Sequence, residues 1–197
     1  MARKKTDKIV FEHVEVLDAG AKGVCVAKAP DGKVIFIPNV VPGDVVDVQT
    51  VKKRKAYYEG RATQVHTFSE HRVEPVCEHF GSCGGCKWQN MAYSQQLVYK
   101  QQEVYNHLKR IGKIELPEFD PILGSKEQFF YRNKMEFSFS NARWLTPEEI
   151  QSGEELGKEN ALGFHIPKMW DKILDIKKCW LQGDPSNDIR NEIREFA

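Results

Sequence analysis

The chain has 197 residues with 29 Lys/Arg against 28 Asp/Glu, a formal charge of +1. That length allows one large domain or two small ones. No stretch approaches the roughly 18 apolar residues of a membrane span, and the basic N-terminus has no apolar core behind it, which excludes a secretory signal.

The near-neutral total hides an asymmetry. Residues 1–65 carry 12 Lys/Arg against 8 Asp/Glu, and the remainder 17 against 20. A basic module joined to a mildly acidic one points to an anionic partner for the first. A cytoplasmic location is expected, because three of the five cysteines cluster as metal ligands do rather than pairing as disulfides.

Short strands broken by turns fill residues 8–67. Ile9 to Leu17 reads as a strand, followed by the glycine turn Ala19–Gly23. Val24 to Ala27 and Val34 to Ile37 flank Asp31-Gly32, a strong hairpin signal. Val45, Val46, Val48 and Val51 make a fourth strand after Pro42-Gly43, and Tyr57 to Val65 a fifth. Five strands in about 60 residues suggest a small barrel, OB-type or SH3-like. Lys52, Lys53, Arg54 and Lys55, with Tyr57 and Tyr58 behind them, fall between strands four and five. Cations for phosphates and aromatics for stacking are what a nucleic-acid surface needs; a solvated charged loop is the plainer alternative.

A linker over 68–92 carries Cys77-Glu-His-Phe-Gly-Ser-Cys83-Gly-Gly-Cys86. Three thiols in ten residues suit a soft metal, and Gly84-Gly85 would give the chain its turns. Cys179 stands alone far downstream and completes a set of four. Three-plus-one spacing suits a [4Fe–4S] centre; zinc sites more often pair two Cys-x2-Cys elements. A structural zinc site, with His79 able to replace a cysteine, and unrelated buried thiols remain the alternatives. Cys25, in a barrel strand, reads as a buried apolar thiol.

A helix is expected from Ser94 to Ile111, with Leu97, Val104, Leu108 and Ile111 on one face and Gly112 at C′. Residues 129–140 alternate as a half-buried strand. Tyr131, Met135, Phe137 and Phe139 take one face, and Arg132, Lys134, Glu136 and Ser138 the other. Arg132 and Lys134 are therefore candidate phosphate contacts on a rigid element. Thr146 to Asn160 reads as a loop or short solvated helix, and Ala161 to Ile166 and Lys172 to Ile176 as strands. Asp184 is a candidate N-cap for a helix bearing Ile189, Ile193 and Phe196 on one side.

The phrases Ala19-Gly20-x-x-Gly23-Val24-x-Val26-Ala27, Gly32-Lys-Val34-x-Phe36-Ile37-Pro38 and Val41-Pro42-Gly43-Asp44-Val45-Val46 resemble a TRAM domain, a small barrel found on RNA-modifying enzymes. With the cysteine run, Tyr131-Arg132-Asn133-Lys134-Met135-Glu136-Phe137, Gly163-Phe164-His165 and Cys179, the chain is similar to bacterial RNA uracil-5-methyltransferases. The nearest branch is the 23S ribosomal RNA enzyme that carries a [4Fe–4S] cluster. The resemblance implies that Cys77, Cys83, Cys86 and Cys179 hold that cluster as a scaffold, and that RNA, ribosomal in kind, is the partner.

The implied fold is β plus α+β: an OB-like TRAM barrel over 1–67, then a central α+β domain over 68–183 carrying the four-cysteine site. Residues 184–197 would begin a helix leading to a methyltransferase domain. The resemblance also implies S-adenosylmethionine, but no Gly-x-Gly-x-x-Gly occurs and no cysteine is left over as a nucleophile. The expectation is the N-terminal portion of such an enzyme, inactive by itself. A standalone RNA-binding module with a structural metal is the alternative. A radical S-adenosylmethionine enzyme fits less well, since its usual Cys-x3-Cys-x2-Cys differs from the Cys-x5-Cys-x2-Cys here.

Overall fold

A computed structural model describes residues 8–153, 159–167 and 169–196; residues 154–158 of the expected loop and Ala197 lie outside the described residues. Five strands come first: β1 Val10–Ala19, β2 Cys25–Lys28, β3 Val34–Ile37, β4 Val45–Lys53 and β5 Tyr57–Thr67. They close into a barrel in the order β1-β2-β3-β5-β4. β3 and β5 pair in parallel, and every other pair is antiparallel. That out-of-sequence order is the Greek-key arrangement of an OB-type barrel and removes the SH3-like alternative.

Alternation drives the closure. Val14, Val16, Cys25, Ala27, Ile35, Ile37, Val46, Val48 and Tyr58 point inward and are buried. Gly60 belongs to this core because a Cβ there would stand 2.4 Å from Val48 Cγ1. At the Pro42-Gly43 turn, Gly43 takes φ 94°, a backbone that glycine adopts without strain. Asp44 next to it is fully buried. Its carboxylate accepts from Val41 N at 2.7 Å and Ser69 N at 2.9 Å and pairs with Arg72.

The chain divides into two compact units, Met1–Glu74 with Lys87–Gly124, and Pro75–Cys86 with Ser125–Ala197. In the first, Met91 is buried and Asn90 Nδ2 donates to Asn39 O at 3.1 Å. α1 spans Tyr93–Asn106 and runs into one π-type turn, His107–Ile111. Gly112 has φ −69° and is not a left-handed cap; its N–H donates to His107 O at 3.0 Å instead. No residue of α1 is buried, and Val104 and Ile111 are exposed, so the expected apolar face is only partly covered.

The second unit holds an antiparallel sheet in the order β6-β7-β8: β6 Ser138–Ser140, β7 Ala161–Ile166 and β8 Met169–Asp175. Gly163 lets β7 lie close on β8, since a Cβ there would stand 2.0 Å from Leu174 O. Helix α2, Pro147–Ser152, starts with a capping box between Thr146 and Glu149. Helix α3 is Ser186–Phe196, so it begins two residues after the expected cap Asp184, behind Pro185. The strand expected over 129–140 forms only at Ser138–Ser140. Phe130 takes φ 55°, which breaks extended backbone, and Tyr131 and Phe139 are exposed. Among the described residues no helix is long and apolar enough to cross a membrane.

Candidate metal centre

All four candidate ligands lie in the second unit. The run is folded by its own backbone: Phe80 N–H donates to Cys77 O at 3.0 Å and Cys83 N–H to His79 O at 2.9 Å. Gly81, at φ 90°, supplies the left-handed turn, a role expected of Gly84 and Gly85, neither of which has positive φ. Gly84 instead admits Pro167, whose Cγ would lie 3.1 Å from an added Cβ. Gly85 N–H points at Cys83 Sγ, 3.4 Å away.

Cys179 follows β8 and is buried. Asn187, on α3, grips it from both sides: Oδ1 accepts from Cys179 N at 2.8 Å, and Nδ2 donates to Cys179 O at 3.1 Å. Cys83 and Cys179 share one apolar cluster with Ile166, Leu174, Ile176, Met135 and Phe137. His79 Nε2 faces Lys177 N at 3.4 Å, which ties the run to the segment before Cys179. Burial lowers the His79 pKa, which favours the neutral ring that can accept this bond.

The thiols act on one another. Burial pushes Cys83 up, and negative charge on Cys86, Cys77 and Cys179 pushes it further. Cys77 is raised by burial first, then by Cys86 and Cys179. Four mutually repelling thiolates need a cation among them to ionise together. Among the described residues, no three of these sulfurs lie within 4.8 Å of one another.

Two residues near Cys179 carried no sequence signal. One is Asn187, already described; the other is Arg190. Arg190 is 3% exposed, and its Nε has no hydrogen-bond partner. Its other nitrogens donate to Asn187 Oδ1 at 2.9 Å and to Lys177 O, and the guanidinium lies over Phe137 at 5.1 Å. Burial lowers its pKa, and negative charge on Cys179 and Asp175 opposes that. An orphaned donor on a buried cation fits an anionic centre beside it.

The candidate RNA contacts fall into two groups. Lys52 and Lys53 are the end of β4, opposite Glu59 and Tyr58, and Arg54 and Lys55 come next in the turn; all four are exposed. Lys52 pairs with Glu59 at 3.4 Å. Tyr58 is no stacking platform, because it is buried in the barrel with its hydroxyl on Asp31 at 2.8 Å. Tyr57 packs edge-on against Phe36. Arg132 and Lys134 are exposed but share no strand face. Arg132 makes an isolated bridge to Gln182, and Lys134 pairs with Glu136.

Comparison with known proteins bears first on the barrel. Residues 12–63 match the TRAM domain. Similarity extends well past the barrel to longer proteins named uncharacterized RNA methyltransferases. One from Bacteroides thetaiotaomicron is 55% identical over 90% of this chain and 39% of the relative. One from Porphyromonas gingivalis is 46% identical over 93% and 40%. The chain thus spans about two fifths of the length of these relatives. Among solved structures, the Pyrococcus abyssi tRNA (uracil-54, C5)-methyltransferase, in complex with S-adenosyl-L-homocysteine, shares the fold. Its TM-score is 0.55 at 24% identity, over 93% of this chain and 36% of that one.

Proposed function

We propose that this chain is the RNA-binding and [4Fe–4S]-bearing portion of an S-adenosylmethionine-dependent RNA uracil-C5 methyltransferase acting on ribosomal RNA, the 23S molecule, in the cytoplasm. The observation that carries the reading is the gathering of four thiols in one unit of a chain whose barrel is a TRAM domain and whose relatives are named RNA methyltransferases. Cys77, Cys83, Cys86 and Cys179 would hold the cluster, which with four protein ligands serves as a clamp. Arg190 and Asn187 orient the Cys179 segment beside it. Lys52, Lys53, Arg54 and Lys55 contact RNA phosphates, with Arg132 and Lys134 as a second set. On the sequence argument the domain boundaries are 1–67, 68–183 and 184–197.

The methyl transfer itself is assigned to the remaining length that the relatives have. There a thiolate adds to uracil C6, C5 takes the methyl group from the sulfonium, S-adenosylhomocysteine leaves, a base takes the C5 proton and the thiolate departs. The test is metal and sulfide analysis of anaerobically purified protein together with methyl transfer to 23S ribosomal RNA. The expected result is a brown protein with about four irons per chain. Joined to the remaining length of a relative, the chain should form 5-methyluridine, and residues 1–197 alone should form none. Stoichiometric zinc in a colourless protein overturns the cluster, and methylation at another position overturns the reaction.

A further inference from the structure

A second group of metal-binding side chains meets on the barrel, on residues that the RNA and cysteine readings leave unused. His13 on β1, Asp47 on β4 and His66 on β5 each bring one donor atom to a common point, all within 4.8 Å of one another. His66 Nε2 is 2.7 Å from Asp47 Oδ1, and His13 Nδ1 is 3.9 Å from the same oxygen. The two imidazoles stack with centroids 4.0 Å apart and planes 13° off parallel.

The backbone is distorted to build this point. The β1–β4 register slips between Phe11 and Val14, and the β4–β5 register slips between Asp47 and Val48. Such bulges re-aim side chains. His13 sits at φ 51°, left-handed backbone that a non-glycine residue adopts at a cost of about 1–2 kcal/mol. Its N–H donates to Asp47 Oδ1 at 2.9 Å, which holds the carboxylate in place. The barrel core needs none of this, because Val14, Val46 and Val48 fill it from the other face. The His13 side chain is 68% exposed.

Hydrogen bonding explains only part of the group. The His66–Asp47 bond uses one ring, but 3.9 Å is too long for a bond from the His13 ring. An ion with metal–nitrogen and metal–oxygen bonds of about 2.0–2.2 Å spans both separations once the exposed His13 ring turns out of the stack, because each imidazole must hold the ion in its own plane. Two imidazoles and one carboxylate suit zinc and its neighbours, and three protein ligands leave a position for water.

We propose that His13, Asp47 and His66 form a divalent transition-metal site of the zinc class on the solvent side of the barrel, clipping β1 to β4 and β5. The ion replaces the His66–Asp47 hydrogen bond and leaves an outward coordination position open. Proton and metal compete for the same imidazole nitrogens, so binding weakens in acid.

The test titrates zinc chloride into the anaerobic protein with its cysteine centre filled, by calorimetry and by nitrogen-edited NMR of the six histidine rings. The expected result is one saturable site that shifts the His13 and His66 rings and leaves the others in place. Affinity falls at least about tenfold in His13→Ala and in Asp47→Asn. It is unchanged in Glu59→Gln, which removes the same charge elsewhere on the barrel, on β5. His13→Ala removes an exposed ring and leaves the core intact, so it stays informative if Asp47→Asn unfolds. No ring shift in millimolar zinc, or equal affinity in wild type and His13→Ala, overturns the site.

Discussion

Cys179→Ala tests what the proposed centre does for the fold. Cys77, Cys83 and Cys86 lie within one ten-residue run, and Cys179 comes 93 positions after Cys86. A metal centre joining them closes a loop of that length. The chain-entropy relation gives about 4.7 kcal/mol at 25 °C for a loop of about 100 residues, and a metal clip obeys the same logic as a disulfide. Removing Cys77 leaves three thiolates and keeps the link to Cys179. Removing Cys179 leaves three thiolates and opens it. The lost sulfur also costs packing, because Cys179 touches Ile166, Leu174 and Ile176. That term is on the order of 1 kcal/mol and is present with or without metal.

The informative quantity is therefore the loaded-minus-empty difference. Native-state amide exchange of β7 and β8, under anaerobic conditions and at measured iron content, reads the opening free energy without dismantling the cluster. In wild type, loading should slow exchange by about three and a half orders of magnitude, which is about 4.7 kcal/mol at 1.36 kcal/mol per decade. Cys77→Ala should keep most of that difference, and Cys179→Ala should lose it. Equal differences in the two variants at matched iron content would refute the clamp.

Three other outcomes concern the first unit. Burial pushes the Cys25 thiol up to about 12, while an unfolded chain ionises it near 9. Between those values the unfolded state binds fewer protons, so stability is present below about pH 9 and is lost as pH rises toward 12. Urea melts at pH 8 and 11 should show this slope in wild type and a flatter one in Cys25→Ala; parallel slopes contradict it. Asp44→Ala strands Arg72 and two backbone N–H groups. It should cost about 3–5 kcal/mol by urea midpoint, and a loss under about 1 kcal/mol would count against the buried clamp. Replacing Lys52, Lys53, Arg54 and Lys55 with Gln should weaken RNA binding and flatten its salt dependence, by about 0.7 in slope per lost contact with single-stranded RNA. An unchanged slope removes this hairpin from the interface.

The barrel was legible because its signals are local. Val46, Val48 and Thr50 alternate inward along β4, and Pro42-Gly43 and Asp31-Gly32 mark turns that only certain backbones make. The same alternation misled over 129–140. Tyr131 and Phe139 have the right period but no surface to lie against, and period alone does not supply one. The cysteines stand out because residue type and spacing carry chemistry. His13, Asp47 and His66 do not, since 34 and 19 positions separate them and two bulges bring them together. Arg190 reads in sequence as an ordinary surface residue of an amphipathic helix.

Its burial is what most supports the proposed metal centre. Without metal, burial and mutual repulsion raise Cys77 and Cys83, so both thiols favour the neutral form. Arg190 then keeps its charge in an apolar setting with one donor unused and Asp175 already shared with Arg194. Burying a cation in that way is costly unless an anion faces it. A bound metal would relieve both penalties. Cys77, Cys83, Cys86 and Cys179 would be its thiolate ligands, and a centre bound by four thiolates would be a net anion for either zinc or [4Fe–4S]. Asn187 joins the two effects, holding the Cys179 backbone with both ends of its amide and accepting from Arg190 on the same oxygen that receives Cys179 N–H.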